Sequence, residues 1–484
     1  MTTKDTIRDR ATRGRYDAVI VGAGPNGLAA AAMLAGRGAS VLVVEAASTI
    51  GGGCRTAELT VPGLRHDVCS AIHPLGIGSP FFRTLPLAEH GLEWVQPEIA
   101  LAHPFDDAPP ALLHRSVDET AETLGDDGYR RLIAPLVPDW DEFSAALLSP
   151  LSLARYPLGL ARFGLPSLLT ARSITNFAFQ GGRAKAFFAG LAAHSFLPLD
   201  APITAAFGLA LAITGHAVGW PIAKGGSQSI ADALASYIKA QGGEVLVDAR
   251  VDDLDDLPES RVVLCDVAPC HLAEIAGERL SAGYRAKLLE YRYGPGVYKI
   301  DWAVDGPVPW KDPECARAGT IHLGPTRADI TTSEKSVWKG TVSDAPFVLL
   351  AQQSPFDVSR VPVDRPNLRA VWAYCHVPSG YEGDCVDVIE SQIERFAPGF
   401  RDKIVDRHTI GPAGFERYNA NYIGGDINGG VLDLAQLIAR PVAGIPYRTP
   451  SRGLYLCSAS TPPGGGVHGM CGYYAALSAL RDLT

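Results

Sequence analysis

The chain has no closely spaced pair of cysteines. Its nine cysteines, at 54, 69, 265, 270, 315, 375, 385, 457 and 471, are scattered over 484 residues without a C-x-x-C motif. A dithiol redox enzyme needs two neighbouring thiols and a zinc site needs clustered ligands, so neither chemistry is expected. Reduced thiols in a cytoplasmic protein are the expectation instead. An excess of positive charge is missing too. With 43 Lys and Arg against 52 Asp and Glu, the net charge is −9, which argues against a nucleic-acid partner. The first 15 residues are polar and charged, with no apolar core of a secretory signal, and read as a frayed tail. The longest apolar stretch, around Phe207 to Ile213, is interrupted by Gly215 and His216 and stops at Trp220-Pro221. It barely approaches the ~20 residues a membrane span needs. No internal repeat or long linker is visible.

What is present is organised around Val19-Ile20-Val21-Gly22-Ala23-Gly24-Pro25-Asn26-Gly27 and its continuation to Glu45. An apolar run from Ala18 to Val21 suits a buried parallel strand, and an Ala/Leu-rich helical pattern runs from Leu28 to Arg37 with Gly38 as its stop. A second apolar strand, Val41 to Val44, ends in Glu45. Strand, G-x-G-x-x-G, helix, strand and terminal carboxylate fall in the order of a dinucleotide-binding βαβ unit. In such a unit Gly22 permits the tight turn, Gly24 lets a diphosphate approach the backbone, and Gly27 lets helix pack close on strand. Glu45 is placed to accept hydrogen bonds from a ribose.

Directly after it, Ile50-Gly51-Gly52-Gly53-Cys54-Arg55-Thr56 offers exposed backbone N–H groups and an arginine suited to phosphate. Two adjacent clamps favour FAD, whose diphosphate is long, over NAD. A second G-x-G-x-x-G for a nicotinamide dinucleotide is absent downstream. From Thr60 to Trp140 the pattern breaks into short strands and Pro/Gly turns, with His73 before Pro74 as a flavin-facing candidate. Between Glu142 and Asp232 the only acidic residue is Asp200, against Arg155, Arg162, Arg172, Arg183, Lys185 and Lys224. This basic, very apolar segment reads as a helical cap over an apolar substrate pocket, with reversible docking on an anionic membrane as the rival reading.

Further on, Gly225-Gly226 precedes a helix over Ile230 to Gln241, capped by Gly242-Gly243. A strand pair near 244–251 and 261–267 brings the chain back to the nucleotide unit, with Val251 against the adenine. Pro295 to Trp310 and Phe347 to Val377 read as strands of a second sheet, and Cys385 to Phe396 as an amphipathic helix. At the C-terminus a strand, Leu454 to Cys457, leads into a glycine-rich loop, Ser458 to Gly469, and a helix over Met470 to Leu483. Such a loop aims N–H groups and a positive helix end, suited to the N1–C2=O edge of a reduced flavin.

Taken together, these elements resemble the phytoene desaturase and carotenoid isomerase-like branch of FAD-dependent oxidoreductases, and most of all the subgroup of pyridine nucleotide-disulfide oxidoreductase domain-containing proteins. The resemblance rests on Gly22 to Gly27, Gly51 to Thr56, Gly225-Gly226, Asn421-Tyr422-Ile423-Gly424-Gly425-Asp426, Arg448-Thr449-Pro450 and Gly464-Gly465-Gly466-Val467. It implies an α/β fold: a Rossmann-type FAD-binding domain interrupted by an α+β substrate domain with a helical cap. The expected division is 14–75, 222–298 and 411–484 for the FAD domain, and 76–221 and 299–410 for the substrate domain, with the cap at about 143–221. Where this chain has Ser458 and Thr461-Pro462-Pro463-Gly464, similar proteins often have glycine and Thr-His-Pro-Gly. A role for that histidine therefore does not carry over, although His468 lies nearby. A second likeness, of Gly294 to Ile300, is to the flavin amine oxidase strand whose lysine reaches flavin N5 through water, which would make Lys299 that lysine.

The resemblance implies FAD held by Gly22, Gly24, Pro25, Asn26, Gly27, Glu45, Ala46, Gly52, Gly53, Cys54, Arg55, Val251, Ser458, Gly466, Val467 and His468. Lys299, His73 and His468 are the candidates for proton handling. The expected chemistry is hydride transfer from an apolar substrate, with oxygen or a quinone as electron acceptor. Reduced-flavin isomerisation of a polyene and a flavin-binding interaction protein without turnover are the alternatives. Peripheral membrane contact and self-association are left open.

Overall fold

The computed structural model describes residues 6–150 and 163–483. Two sheets dominate it. The first is parallel, with five strands in the order Leu454–Leu456, Glu259–Cys265, Arg15–Val21, Val41–Val44, Glu244–Leu246. Its central strand, Arg15–Val21, is flanked by Glu259–Cys265 and Val41–Val44, with Val21 opposite both Cys265 and Val44. All four residues of Val41–Val44 are buried, as a strand covered on both faces requires. One face is covered by the helices Pro25–Ala35, Gln228–Ala240 and Met470–Leu483. The last helix lies so close to the first that a Cβ on Gly472 would fall 1.8 Å from the carbonyl oxygen of Asn26.

The regions near 244 and 259 both join this sheet, but they are not a pair. Glu244–Leu246 pairs with Val41–Val44, and Glu259–Cys265 with Arg15–Val21, at opposite sides of the centre.

The second sheet is mixed, with seven strands in the order Ile404–Ile410, Gly296–Asp305, Leu368–Val377, Val348–Gln352, Ala318–Leu323, Ile99–His103, Ala111–Leu113. Register places Thr320, Ala351, Trp372 and Asp301 in one row across it, and His322, Leu349, Tyr374 and Lys299 in the next, all on one face. That face packs against helices Ala171–Ala178, Gly182–Ala193 and Thr204–Ala217 of the apolar segment. The other face packs on helix Val386–Phe396. Strand Gly296–Asp305 is continuous through 298–299 and pairs along its length within this sheet.

Two short helices, Val117–Leu124 and Asp127–Ile133, stand in the region read as strands and turns. Each has a side-chain cap, Ser116 Oγ accepting from Glu119 N–H and Asp126 Oδ1 accepting from Gly128 N–H. In the cap, Arg155 and Arg162 lie outside the described residues. Among the described residues no helix is long and apolar enough to cross a membrane.

Candidate functional site

The two sheets meet along one cavity of about 680 Å³ that runs from the glycine turn of the first to the apolar face of the second. At its nucleotide end, Gly22 turns the chain with φ 98°, and helix Pro25–Ala35 starts with proline at its first position. The close approach is demanded by geometry: a Cβ on Gly27 would lie 2.1 Å from the Gly22 carbonyl oxygen, and one on Gly24 would lie 2.7 Å from Asp266 Oδ2. Gly22, Gly24, Pro25 and Asn26 line the cavity. Asn26 Oδ1 is buried with no partner among the described residues.

Glu45 is buried at the end of its strand. Ala23 N–H donates to its Oε2 (2.8 Å), and Ala47 N–H (2.9 Å) and Arg55 Nη2 (3.1 Å) donate to its Oε1. With about four lone-pair sites on a carboxylate, two of them taken on Oε1, Oε2 keeps acceptor capacity for a ribose hydroxyl. Arg55 lines the same cavity and is positioned by Glu45, by the Thr49 carbonyl (3.0 Å) and over the Tyr418 ring (5.3 Å). Ala46, Gly52, Gly53 and Val251 line the same end, and Ala249 N–H donates to the Glu45 carbonyl (2.8 Å). Cys54 lies fully buried outside the cavity wall. Asp266, not singled out by the motifs, projects under the glycines and accepts from Gly27 N–H (2.8 Å). Burial raises its carboxyl to about 7, against the lowering effect of that bond and with help from the charge of Glu45.

From the C-terminal loop, Ser458, Gly466 and Val467 line the cavity, and Ser458 Oγ is another buried atom without a described partner. His468 sits behind the wall. Its Nδ1 accepts from Met470 N–H (3.0 Å), its carbonyl accepts from Ser79 Oγ (2.7 Å), and burial lowers its imidazole to about 4. It holds the loop to the helix that follows.

His73 does line the cavity. Ser227 Oγ donates its single proton to the Ser70 carbonyl (2.7 Å), so the 2.8 Å contact with His73 must be donated by Nε2–H. Nδ1 is then an unprotonated acceptor, buried and without a described partner, and burial lowers the ring to about 4. The Ser227 loop is anchored below by buried Arg360, which bonds Asp67 (2.7 Å), Asp357 (3.0 Å) and the Ala223 carbonyl (2.8 Å).

Lys299 shares the cavity-facing side of the seven-stranded sheet but is not in the wall. Its ammonium pairs with Asp301 and stands 5.3 Å from the Trp372 ring, which covers it. Asp301 also faces His66 Nδ1 (3.5 Å) and His408 Nδ1 (3.7 Å). Burial pushes the Asp301 carboxyl up, but the Lys299 charge and the two histidines outweigh it and hold it below the usual range. The cavity's far end is built by His194, Leu211, Trp220, Leu349, Trp372 and Tyr374. These come from the cap and from the second sheet, and no local motif marks them.

The site therefore offers a backbone cradle with a positive helix end, a ribose-facing carboxylate, a second loop at the opposite wall and an apolar compartment continuous with them. Gly22, Gly24 and Gly52 leave no room for side chains, and Asn26 and Ser458 hold orphaned polar atoms on the wall, so the residues present fit a nucleotide cofactor.

Comparison with known proteins agrees with this geometry. A family model described as an NAD(P)-binding Rossmann-like domain matches residues 20–85. Pyridine nucleotide-disulfide oxidoreductase domain-containing protein 2 of Rattus norvegicus is 26% identical, over 97% of this chain and 94% of its own. An engineered putrescine oxidase superposes with a TM-score of 0.62 at 16% identity, covering 97% of this chain and 99% of its own. A fatty acid isomerase of P. acnes does so with 0.55 at 13%, covering 97% and 99%. The resemblance to pyridine nucleotide-disulfide oxidoreductase domain-containing proteins thus extends over nearly the whole chain, and the fold is shared with the putrescine oxidase and fatty acid isomerase structures. All nine cysteines here are free thiols, and those of Cys375 and Cys385 lie within hydrogen-bonding distance of each other.

Proposed function

We propose that this chain is an FAD-dependent oxidoreductase that removes a hydride from a C–H bond of a hydrophobic substrate. The observation that carries the reading is the single cavity joining the glycine cradle to an apolar compartment between sheet and cap. Bound FAD would supply the two-electron acceptor that no side chain offers.

The residues have separable tasks. Gly22, Gly24 and the N-terminus of helix Pro25–Ala35 hold the diphosphate, and Glu45 orients the ribose. Gly466 and Val467, ahead of helix Met470–Leu483, present backbone to the ring end. Leu211, Trp220, Leu349 and Trp372 exclude water from the reacting carbon. His73, neutral with a bare Nδ1 on the cavity wall, is the proton acceptor, and the ion-paired Lys299 stands behind Trp372. Reoxidation by oxygen or a quinone completes turnover.

The test is anaerobic titration of the FAD-loaded protein with apolar substrates. Bleaching of the flavin by one stoichiometric addition supports dehydrogenation. Conversion that occurs only after prior reduction, with no net redox change, moves the assignment to isomerisation. A flavin that no substrate reduces, beside a stable protein partner, moves it to an interaction protein.

A further inference from the structure

His194 follows helix Gly182–Ala193 and meets His322 of strand Ala318–Leu323 with their Nε2 atoms 3.1 Å apart. One of the two nitrogens must donate. The surroundings of His322 decide which. Its Nδ1 is buried without a described partner, and it faces Gly190, where a Cβ built along the Cα–H direction would come within 2.9 Å. His103 Nδ1 faces the same point at 3.3 Å, while its Nε2 lies 2.9 Å from the Gly324 carbonyl, which can only accept. His103 Nδ1 is therefore a lone pair. A proton on His322 Nδ1 would be a buried, unpaired N–H pressed against Cα–H, whereas a lone pair there is tolerated and gains a weak Cα–H contact. The proton of His322 thus sits on Nε2 and is donated to His194 Nε2. That leaves His194 with its proton on Nδ1, the nitrogen with no described partner, at a residue lining the cavity.

The compartment that His194 lines carries no charge among the described residues. Its walls include Leu211, Trp220, Leu349, Trp372 and Tyr374, and the charged lining residues that are described belong to 45–55, 250–274 or Arg417, at the nucleotide end. Of the charges nearby, Lys299 is spent on Asp301 and Glu334 on His376 (2.8 Å). Burial lowers His194 to about 3 and keeps it a neutral donor, and it raises the Tyr374 phenol so that its proton is retained. An ammonium or carboxylate here would lose its hydration with no counter-charge among the described residues, whereas an uncharged oxygen would gain a hydrogen bond.

We propose that the apolar end of the cavity selects a substrate carrying an uncharged oxygen acceptor, such as a ketone or ester carbonyl, and that His194, held by His322, is the side chain that reads it. This rests on the oxidoreductase reading for the statement that the occupant is a substrate, but the selectivity is a property of the cavity alone. His194 acts by direct contact; His322 is a positioning residue.

The experiment is calorimetric titration of the purified protein, its flavin content first measured by absorbance, with four probes of equal chain length: decane, methyl octyl ketone, decanoate and decylamine. The ketone is expected to bind about ten-fold more tightly than decane, the gain of one net hydrogen bond. The two ions are expected to bind more weakly than the ketone. In His194→Phe the ketone should fall to the affinity of decane, with decane itself unchanged; in His322→Phe its advantage should shrink without vanishing. Decanoate or decylamine binding as tightly as the ketone, no probe binding at all, or an undiminished ketone preference in His194→Phe overturns the proposal. The order of the four probes on the unsubstituted protein decides the matter even if a variant does not fold. Absence of flavin would instead count against the functional assignment.

Discussion

Replacing Asp266 by asparagine separates charge from shape in the glycine cradle. The carboxyl accepts from Gly27 N–H at 2.8 Å, at the positive helix end a diphosphate would approach, and Oδ2 lies where a Cβ on Gly24 would collide. Burial raises its pKa from 3.8 to about 7. A raised carboxyl is neutral below that value and negative above it, so its contribution to folding is present in acid and lost as pH rises through about 7. The same sign governs the cofactor: above neutrality a carboxylate would stand beside the diphosphate, and FAD binding must take up a proton. If only the protonated form binds, the apparent Kd scales as one plus ten to the power of pH minus pKa. Between about pH 6 and about pH 8.5 this is a rise of about 30-fold. Asp266→Asn keeps an acceptor for Gly27 N–H and carries no charge. Its FAD affinity, read by flavin fluorescence quenching in a pH series, should match the unsubstituted protein near pH 6 and stay flat above it. Parallel profiles for the two proteins, or a flat profile for the unsubstituted one, would refute the reasoning.

Gly27→Ala should abolish FAD retention, because its Cβ would sit 2.1 Å from the Gly22 carbonyl and force helix from strand. The flavin-to-protein ratio after gel filtration measures it, and an unchanged ratio would contradict the packing. Arg360→Met leaves Asp67 and Asp357 buried without their cation. Removing one partner of a buried ion pair costs about 3–5 kcal/mol. A clear fall in the denaturation midpoint is expected, and a midpoint unchanged within error would show that the network carries no stability.

Legibility in the sequence followed the range of the interactions. The glycine turn, its helix and Glu45 are set by contacts within some 25 residues, and the structure places them as a βαβ unit; Pro25 simply starts the helix earlier than Leu28. The loop from Ser458 was legible for the same reason. Asp301 lies two residues beyond Lys299, on the same face of one strand, so the partner of that lysine was written in the alternation of the strand. His194 and His322 are different. They meet only because a cap helix crosses one particular register of the second sheet, and no spacing rule links residues so far apart. Strand order was hidden likewise: neighbours in the chain at 244 and 259 are separated in the sheet by two strands. The helices after Ser116 and Asp126 did carry a signal, their capping side chains, which the Pro/Gly turns around them obscured.

The most direct test of the central claim is the absorption spectrum of the purified protein, followed by identification of what heat denaturation releases. The account predicts an oxidised-flavin spectrum and close to one equivalent of FAD in the supernatant, since nothing in the cradle calls for covalent attachment. A colourless protein that also fails to take up added FAD would contradict it.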